Sequence, residues 1–342
     1  MATAHQLRIL CYHAFGVDED IKLSPGLFMR LDTIRGRFEL ARRGGYQVMS
    51  LDAAVEALES NRLPRLPLVI TFDDGFFSNL AGSRALMQEF DLPMTLYVTT
   101  YYVVKNTPIF SHAIRYLFFK TRCTTLLLTN LPGHARSSWP DVLELQNQVL
   151  TERVMWELIV DAERHMTELE RVELCRELGL RLNVDYDGLA AERRLSMLKP
   201  EEIRELSTLG VDIQLHTHRH LLPIDPEELR REIEDNRAVL EAATGKPCRH
   251  LCYPSGVYCE SQWPTLQTLA VRSATTCEPG LNSSRTSPYQ LARFLDFEDL
   301  TDLEIDAALS GFMELPRWIK NALSPRKKFF THDVNHPAGY GG

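Results

Sequence analysis

The chain has few cysteines, and their arrangement argues against a fold held by disulfides. There are seven cysteines, which is an odd number, and they occur at irregular spacing without any Cys-x-x-Cys pair. The simplest expectation is that these thiols are reduced, as they are in a cytosol. Cys248 and Cys252 are interpreted as buried thiols rather than as half of a metal site, because no second cysteine pair or suitable histidine spacing accompanies them.

Long apolar runs, a leader segment and an excess of basic charge are also absent. No stretch of about 18 apolar residues occurs, so no membrane-spanning helix is expected. Met1–Gln6 lack the basic region and the apolar run of a signal peptide, which predicts a cytoplasmic protein. The formal net charge of −8 argues against general affinity for nucleic acids, and no internal repeat is found.

The composition is that of a globular protein. The 342 residues are 44% hydrophobic and 25% charged, which suits one large domain or a barrel with an insertion. Strand-like runs alternate with helical stretches up to Thr99, and this alternation predicts a parallel sheet with helices outside it. The predicted elements include helices over Pro25–Arg43 and Leu80–Phe90, strands over Leu66–Ile70 and Met94–Thr99, and a later helix over Pro226–Thr244 between a capping Asp225 and Gly245.

Two adjacent carboxylates follow one of these strands. The apolar run Leu66–Ile70 leads directly into Thr71-Phe72-Asp73-Asp74-Gly75. Neighbouring residues on a strand point to opposite faces, so Asp73 and Asp74 can take different roles. Paired acids among apolar residues cost free energy unless something compensates them, and a metal ion is the obvious candidate. A plain Asp-Gly turn is the alternative that this pentapeptide alone leaves open.

Two histidines with ligand spacing follow a second strand. Val211–Leu215 is strand-like and ends in His216-Thr217-His218-Arg219-His220. His216 and His220 are four residues apart, which on a helical turn puts both imidazoles on one face. Two imidazoles and one carboxylate are a usual three-ligand set of a catalytic zinc-type site, with a fourth position for water. His218 is interpreted as a solvated or structural histidine.

These two motifs resemble those of a known family. Thr71–Gly75 is similar to the first motif of the polysaccharide deacetylases, the NodB-homology family, and His216-Thr217-x-x-His220 is similar to their second motif. The resemblance extends, with gaps, from about Leu10 to about Asp333. It implies a distorted or incomplete (β/α) barrel of the NodB type, with the active site at the ends of the strands.

A third motif of the family is matched only in part. In Cys252-Tyr253-Pro254-Ser255-Gly256, the proline and the last glycine agree, but Cys252 stands where the family has an arginine. The resemblance implies that a backbone N–H of this motif binds the oxyanion, and Ser255 could still supply it, because a main-chain donor does not depend on the side chain. Arg293 is the candidate to replace the arginine that steadies the catalytic acid; the alternative is a surface arginine.

The two ends of the chain carry further matches. Tyr12 and His13 match a Tyr-His pair that many relatives have, and His13 either lines the site or has a structural role. The predicted last strand, Lys327–Asp333, resembles the fifth motif, whose histidine acts as general acid; this is His332. Phe312–Lys328 mixes aromatic and basic residues, so it either lies on an anionic membrane surface or packs on the barrel.

Residues 101–206 do not follow the strand-helix pattern. Long helical stretches dominate them, so they are predicted to be a helical insertion within a single domain that spans residues 1–342. One interpretation is that this insertion walls the substrate cleft.

The resemblance implies a metal-dependent hydrolase that removes an N-acetyl group from an amino sugar in a glycan or a glycan precursor. Asp74, His216 and His220 then hold a divalent ion, with zinc as the default, Asp73 is the general base and His332 protonates the departing amine. An N-acetylated sugar is the expected partner. Two alternatives stay open: another amide hydrolase, such as a deformylase or a cyclic-amide hydrolase, and a non-catalytic sugar-binding protein, which the altered third motif favours.

Overall fold

The computed structural model describes residues 3–131 and 139–312, and most of its strands belong to one parallel sheet. The strands are β1 (Arg8–Tyr12), β2 (Ala14–Phe15), β3 (Phe28–Met29), β4 (Gln47–Val48), β5 (Pro67–Phe72), β6 (Thr95–Val98), β7 (Thr125–Leu127), β8 (Val142–Glu144), β9 (Asp212–Leu215), β10 (His250–Cys252), β11 (Ser273–Thr275) and β12 (Phe294–Leu295). The helices are α1 (Asp18–Leu23), α2 (Leu31–Arg43), α3 (Leu51–Glu59), α4 (Ser78–Phe90), α5 (Tyr101–Lys105), α6 (Phe110–Lys120), α7 (Gln148–His165), α8 (Glu168–Leu182), α9 (Tyr186–Glu192), α10 (Pro200–Thr208), α11 (Pro226–Thr244), α12 (Trp263–Thr268) and α13 (Asp302–Ser310).

The main sheet curls into a distorted (β/α) barrel, as the resemblance implies. Its strand order is β11-β10-β9-β6-β5-β1-β12, with β4 beside the start of β5, and every pairing is parallel. An isolated parallel bridge between Thr275 and Leu291 joins β11 to the chain that enters β12. This single bridge joins the two edges of the sheet, so only a few residues make the contact that closes the barrel. The predicted fold class is confirmed.

Buried apolar strands and capped amphipathic helices account for these elements. All six residues of β5 are buried, as expected for a parallel strand that is covered on both faces. Helix α11 begins after Asp225, whose carboxylate accepts the N–H groups of Glu227 and Glu228, and it ends at Gly245 with φ of 68°. Both ends lie where the sequence predicts them, and such an N-cap contributes about 1 kcal/mol.

One predicted helix is shorter than the sequence indicates. The periodic pattern predicts a helix over Pro25–Arg43, but α2 begins only at Leu31. Phe28 and Met29 instead form β3, which pairs with β2 in a small two-stranded sheet. Both side chains are buried there, so tertiary packing overrides the helical periodicity.

The chain divides into two compact units. Residues 3–104 and 198–312 form the barrel unit, and Lys105–Met197 form the other unit. The second unit contains α6 to α9, together with the antiparallel pair β7–β8. That residues 101–206 are an insertion that walls a cleft stays a prediction. In the part of the chain that the structure describes, no helix is both long enough and apolar enough to cross a membrane.

Part of the core of the barrel unit packs the strands against helix α3. Leu7, Ile9, Val69, Tyr97 and Leu291 belong to this buried cluster, together with residues of α3. Parallel strands run in the same direction, so the segments that follow β5, β9 and β10 meet at one end of the barrel.

Candidate active site

The segments that follow β5 and β9 bring three candidate metal ligands together. Asp74 Oδ1 lies 3.2 Å from His216 Nε2 and 3.5 Å from His220 Nε2. All three side chains are buried, and their ligand atoms lie within 4.8 Å of one another. Two imidazole nitrogens and one carboxylate oxygen therefore face the same small volume.

A hydrogen bond to strand β10 sets the orientation of His216. Its Nδ1 lies 2.9 Å from the carbonyl oxygen of Cys252, the last residue of β10. Because a carbonyl only accepts, Nδ1 carries a proton, and Nε2 faces Asp74, where it can bind a metal ion after losing its own proton. Metal-binding histidines typically have such a second partner. The donor set and this tautomer fit a divalent ion of the zinc type.

The same contacts shift the pKa values of the three groups. Burial would raise the pKa of Asp74, but the hydrogen bond from His216 and the nearby His220 lower it to about 2. Burial and the charge of His216 lower the pKa of His220 to about 3. Burial would also lower the pKa of His216, but its contacts with Cys252 and Asp74 raise it well above the usual value. Asp74 is thus a carboxylate and His220 a neutral imidazole, the forms that bind metals.

The loop between the two histidines is not the helical turn that their spacing suggests. Thr217 has φ of 61° and His220 has φ of 57°, values outside the right-handed helical region. The two imidazole centroids nevertheless lie 4.8 Å apart. His218 Nδ1 lies 2.9 Å from Thr100 Oγ1, so this intermediate histidine has a structural contact, as expected for one of its two interpretations.

The other carboxylate, Asp73, binds an arginine. Arg293 Nη1 donates to Asp73 Oδ1 at 2.7 Å, and Arg293 Nη2 donates to Asp73 Oδ2 at 2.8 Å. Arg293 stands just before β12, and its side chain is fully buried, so it is not the surface arginine of the alternative interpretation. The guanidinium also donates through Nε to the carbonyl of Thr276 at 2.9 Å. Asp73 and Asp74 therefore have separate partners.

The ion pair keeps Asp73 ionised. Burial would raise the pKa of this carboxyl, but the Arg293 guanidinium holds it well below its usual range. Two thiols also approach Asp73 Oδ2, that of Cys252 at 3.3 Å and that of Cys11 at 3.4 Å. No local sequence pattern points to Cys11, because it lies on β1 and its contact with Asp73 spans 62 positions.

The remaining predicted residues differ in how far the structure tests them. His13 Nε2 lies 3.9 Å from Asp73 Oδ2 and its side chain is 20% exposed, so it lines the site. Ser255 is exposed and has φ of 54° in the loop after β10. Within residues 3–131 and 139–312, no hydrogen bond from its N–H is found. His332, with the predicted strand Lys327–Asp333, lies outside the described residues.

Comparisons with known proteins point in the same direction. Residues 162–274, about a third of the chain, match the family model described as polysaccharide deacetylase, and this stretch contains His216 and His220. The predicted similarity to the polysaccharide deacetylases is confirmed. No curated protein matches the sequence.

Solved deacetylase structures share the fold. The deacetylase PplD from Streptococcus pyogenes, in complex with acetate, is 16% identical with a TM-score of 0.58, over 90% of this chain and 99% of that one. IcaB from Ammonifex degensii is 16% identical with a TM-score of 0.55, over 89% and 97%. A de-N-acetylase from Aggregatibacter actinomycetemcomitans is 12% identical with a TM-score of 0.54, over 89% and 99%.

This chain differs from the polysaccharide deacetylase motifs most clearly in the third motif. Cys252 occupies the position of the expected arginine, and the guanidinium that reaches Asp73 comes from Arg293 instead, 41 positions further along the chain. Cys252 Sγ lies 3.2 Å from Arg293 Nη2, so the two residues meet at the same carboxylate. Cys248 is buried and donates to the carbonyl of Ile213, which agrees with its interpretation as a structural thiol.

Among the residues that the structure describes, two other groups of side chains have ligand atoms close enough for a metal ion. One comprises Cys11, His13 and Asp73, and the other comprises Asp73, His216 and Cys252. Both need an oxygen of Asp73, and both oxygens of that carboxylate already accept from Arg293. A cation there would lie beside a guanidinium, so the set of Asp74, His216 and His220 fits a metal ion best.

Proposed function

We propose that this protein is a metal-dependent hydrolase that removes N-acetyl groups from amino sugars in a glycan or a glycan precursor. The observation that carries the proposal is the division of the acid pair. Asp74 faces His216 and His220, and Asp73 faces Arg293. One carboxylate is thus available as a ligand and the other as a base, which hydrolysis of an amide by activated water requires.

Asp74, His216 and His220 would hold the divalent ion, with zinc as the default. Such an ion supplies Lewis acidity and lowers the pKa of water from about 15.7 to about 7. Asp73 accepts the proton of the attacking water. Arg293 holds the carboxylate ionised and fixes its direction.

The backbone N–H of Ser255 would stabilise the oxyanion of the tetrahedral intermediate. Ser255 is exposed in the loop after β10, and its αL conformation turns the chain out of the regular strand direction. A hydrogen-bond donor of this kind is typically worth 10²–10³-fold in kcat.

Two histidines are candidates for the proton that the departing amine needs. His13 is supported by its position next to Asp73 and its partial exposure. His332 is supported only by its motif. An imidazole has a free pKa of about 6.5, which lets it carry a proton near neutral pH.

The experiment for the activity is acetate release from a panel of N-acetylated saccharides and nucleotide-sugars, with N-formyl and cyclic-amide substrates beside them. We expect acetate from an N-acetyl sugar, and turnover lower by roughly 10²–10⁴-fold with the Asp73→Asn variant. If the protein turns over only N-formyl or cyclic-amide substrates, it is another amide hydrolase and not an N-deacetylase. Sugar binding without any turnover would leave a binding protein.

Substrates with different leaving groups can show which of the two histidines is the general acid. An amine must gain a proton as the C–N bond breaks, whereas an activated phenol leaves unprotonated. Replacing the general acid by alanine should therefore cost on the order of 10²-fold more on an N-acetyl sugar than on an aryl acetate. Comparing His13→Ala with His332→Ala on both substrates identifies the donor. Equal losses on both substrates, with a lower melting temperature, would assign a packing role to the residue that was changed.

A further inference from the structure

The loop that carries the two ligand histidines is held in an unfavourable backbone conformation. Thr217 and His220 both have positive φ, a region that residues with a Cβ rarely adopt. Such a conformation persists only where the surroundings over-determine it. The contacts that hold this loop therefore bear on whether His216 and His220 face Asp74.

Asn236, on α11, makes the most central of these contacts. Its side chain is fully buried, and its Oδ1 accepts the N–H of His216 at 3.0 Å. Its Nδ2 donates to the carbonyl of Val98 at 2.9 Å and to Thr100 Oγ1 at 3.0 Å. One amide thus ties the end of β9, where the first ligand histidine stands, to the end of β6.

The end of β6 also holds the other ligand segment. The N–H of Thr99 donates to the carbonyl of Asp74 at 3.0 Å, and the Thr99 hydroxyl donates to the carbonyl of His218 at 3.1 Å. Asn236 is therefore joined to His216 directly, and to Asp74 through Val98 and Thr99. The two ligands come from strands that are separated by β6 in the sheet, so their relative position depends on this connection.

Glu232, one helical turn before Asn236, holds the middle of the loop. Its carboxylate accepts the N–H of Arg219 at 2.7 Å and the Arg219 guanidinium at 2.7 Å, and its carbonyl accepts the N–H of His218 at 3.1 Å. Residues four apart on a helix lie on the same face, so Glu232 and Asn236 act on one loop from one side.

We propose that Asn236 is a positioning residue for the metal ion: it fixes His216 relative to Asp74, and Glu232 keeps the intervening loop in its strained form. This inference rests on the metal site of the proposed function. Partners that orient metal ligands are typically worth 10–100-fold in metal affinity. The same loss is expected here, because two of the three ligands lose their common support.

The test measures the zinc affinity of the purified protein by competition with a chromophoric chelator, together with chemical unfolding of the metal-stripped protein. Asn236→Ala should weaken zinc binding about 10- to 100-fold. Asn282→Ala is the matched control, because Asn282 is also fully buried, accepts the N–H of Ala292 at 2.8 Å and donates to the carbonyl of Ala292 at 2.9 Å, but touches no metal ligand. It should lower stability and leave the zinc affinity unchanged.

A second variant covers the case in which Asn236→Ala does not fold. Thr100→Val removes one partner of the Asn236 amide with a side chain of the same shape, and it also removes the contact of Thr100 with His218 in the same loop. It should weaken zinc binding several-fold, at a cost of about 1–3 kcal/mol in stability. Zinc affinities of both variants equal to that of the wild-type protein would overturn the positioning role and leave the metal site standing. If the wild-type protein itself binds no zinc, the metal site is wrong and the positioning role falls with it.

Discussion

Replacing Arg293 by methionine should change both the stability and the pH dependence of the enzyme. The Arg293–Asp73 pair is buried on both sides, and the guanidinium binds both carboxylate oxygens. Removing one partner leaves an uncompensated buried charge, which costs about 3–5 kcal/mol of unfolding free energy. Methionine has a similar length, so little of this loss comes from a cavity.

The effect on activity follows from the pKa of Asp73. With Arg293 in place, this pKa lies well below its usual range, so the base stays ionised from pH 5 upwards. Without the guanidinium, burial dominates and can raise the pKa of a carboxyl by up to about 3–5 units, into the neutral range. Arg293→Met should therefore lose about 10- to 100-fold in kcat/KM at pH 6, where most of the base would be protonated, and recover part of it towards pH 9.

The assay is a pH profile of acetate release between pH 5 and 9, beside denaturant unfolding. The double variant Arg293→Met/Asp73→Asn is the control for stability, because it removes both charges and should be more stable than Arg293→Met alone. An unchanged pH profile in Arg293→Met, or a double variant no more stable than the single one, would refute the assignment of Arg293 as the partner that keeps the base ionised.

Three further outcomes follow from the structure. Asp74→Asn should lose bound metal, whereas Asp73→Asn should keep the metal and lose roughly 10²–10⁴-fold in turnover. Metal analysis and acetate release check both outcomes, and the reverse pattern would exchange the roles of the two carboxylates. Burial lowers the pKa of His250 to about 4, so the neutral imidazole stabilises the fold above its free pKa of about 6.5, and this stability is lost as the pH falls towards 4. Between pH 7 and 4, the free energy of unfolding should therefore fall by about 3 kcal/mol less in His250→Gln than in the wild-type protein. Urea unfolding at several pH values measures this difference. If Phe312–Lys328 packs on the barrel, the protein should not float with anionic liposomes even at low salt, and flotation would instead support a membrane-surface role.

Local sequence patterns predict the parts of the site that neighbouring residues determine. The apolar run before Asp73 and Asp74 and the one before His216 both end in the observed strands, so the carboxyl ends of these strands could be located. The limits of α11 follow from Asp225, Pro226 and Gly245, since capping depends on a few adjacent residues.

Contacts between distant segments could be proposed but not established. Arg293 stands 220 positions from Asp73, and no periodicity distinguishes an arginine that enters a barrel from one on a surface. The spacing of His216 and His220 suggests a helical turn, because spacing alone carries no information on the positive φ of Thr217 and His220. Asn236 likewise reads as an ordinary polar residue of a charged helix, and only the fold shows that its amide joins two strand ends.

The most direct test of the account is X-ray absorption spectroscopy of the zinc-loaded protein. If Asp74, His216 and His220 hold the ion, the first shell contains only nitrogen and oxygen, at about 2.0–2.2 Å. A sulfur shell at about 2.3 Å would place the ion instead with Asp73 and a thiol, that of Cys252 or Cys11, and would contradict the division of the two carboxylates into a ligand and a base.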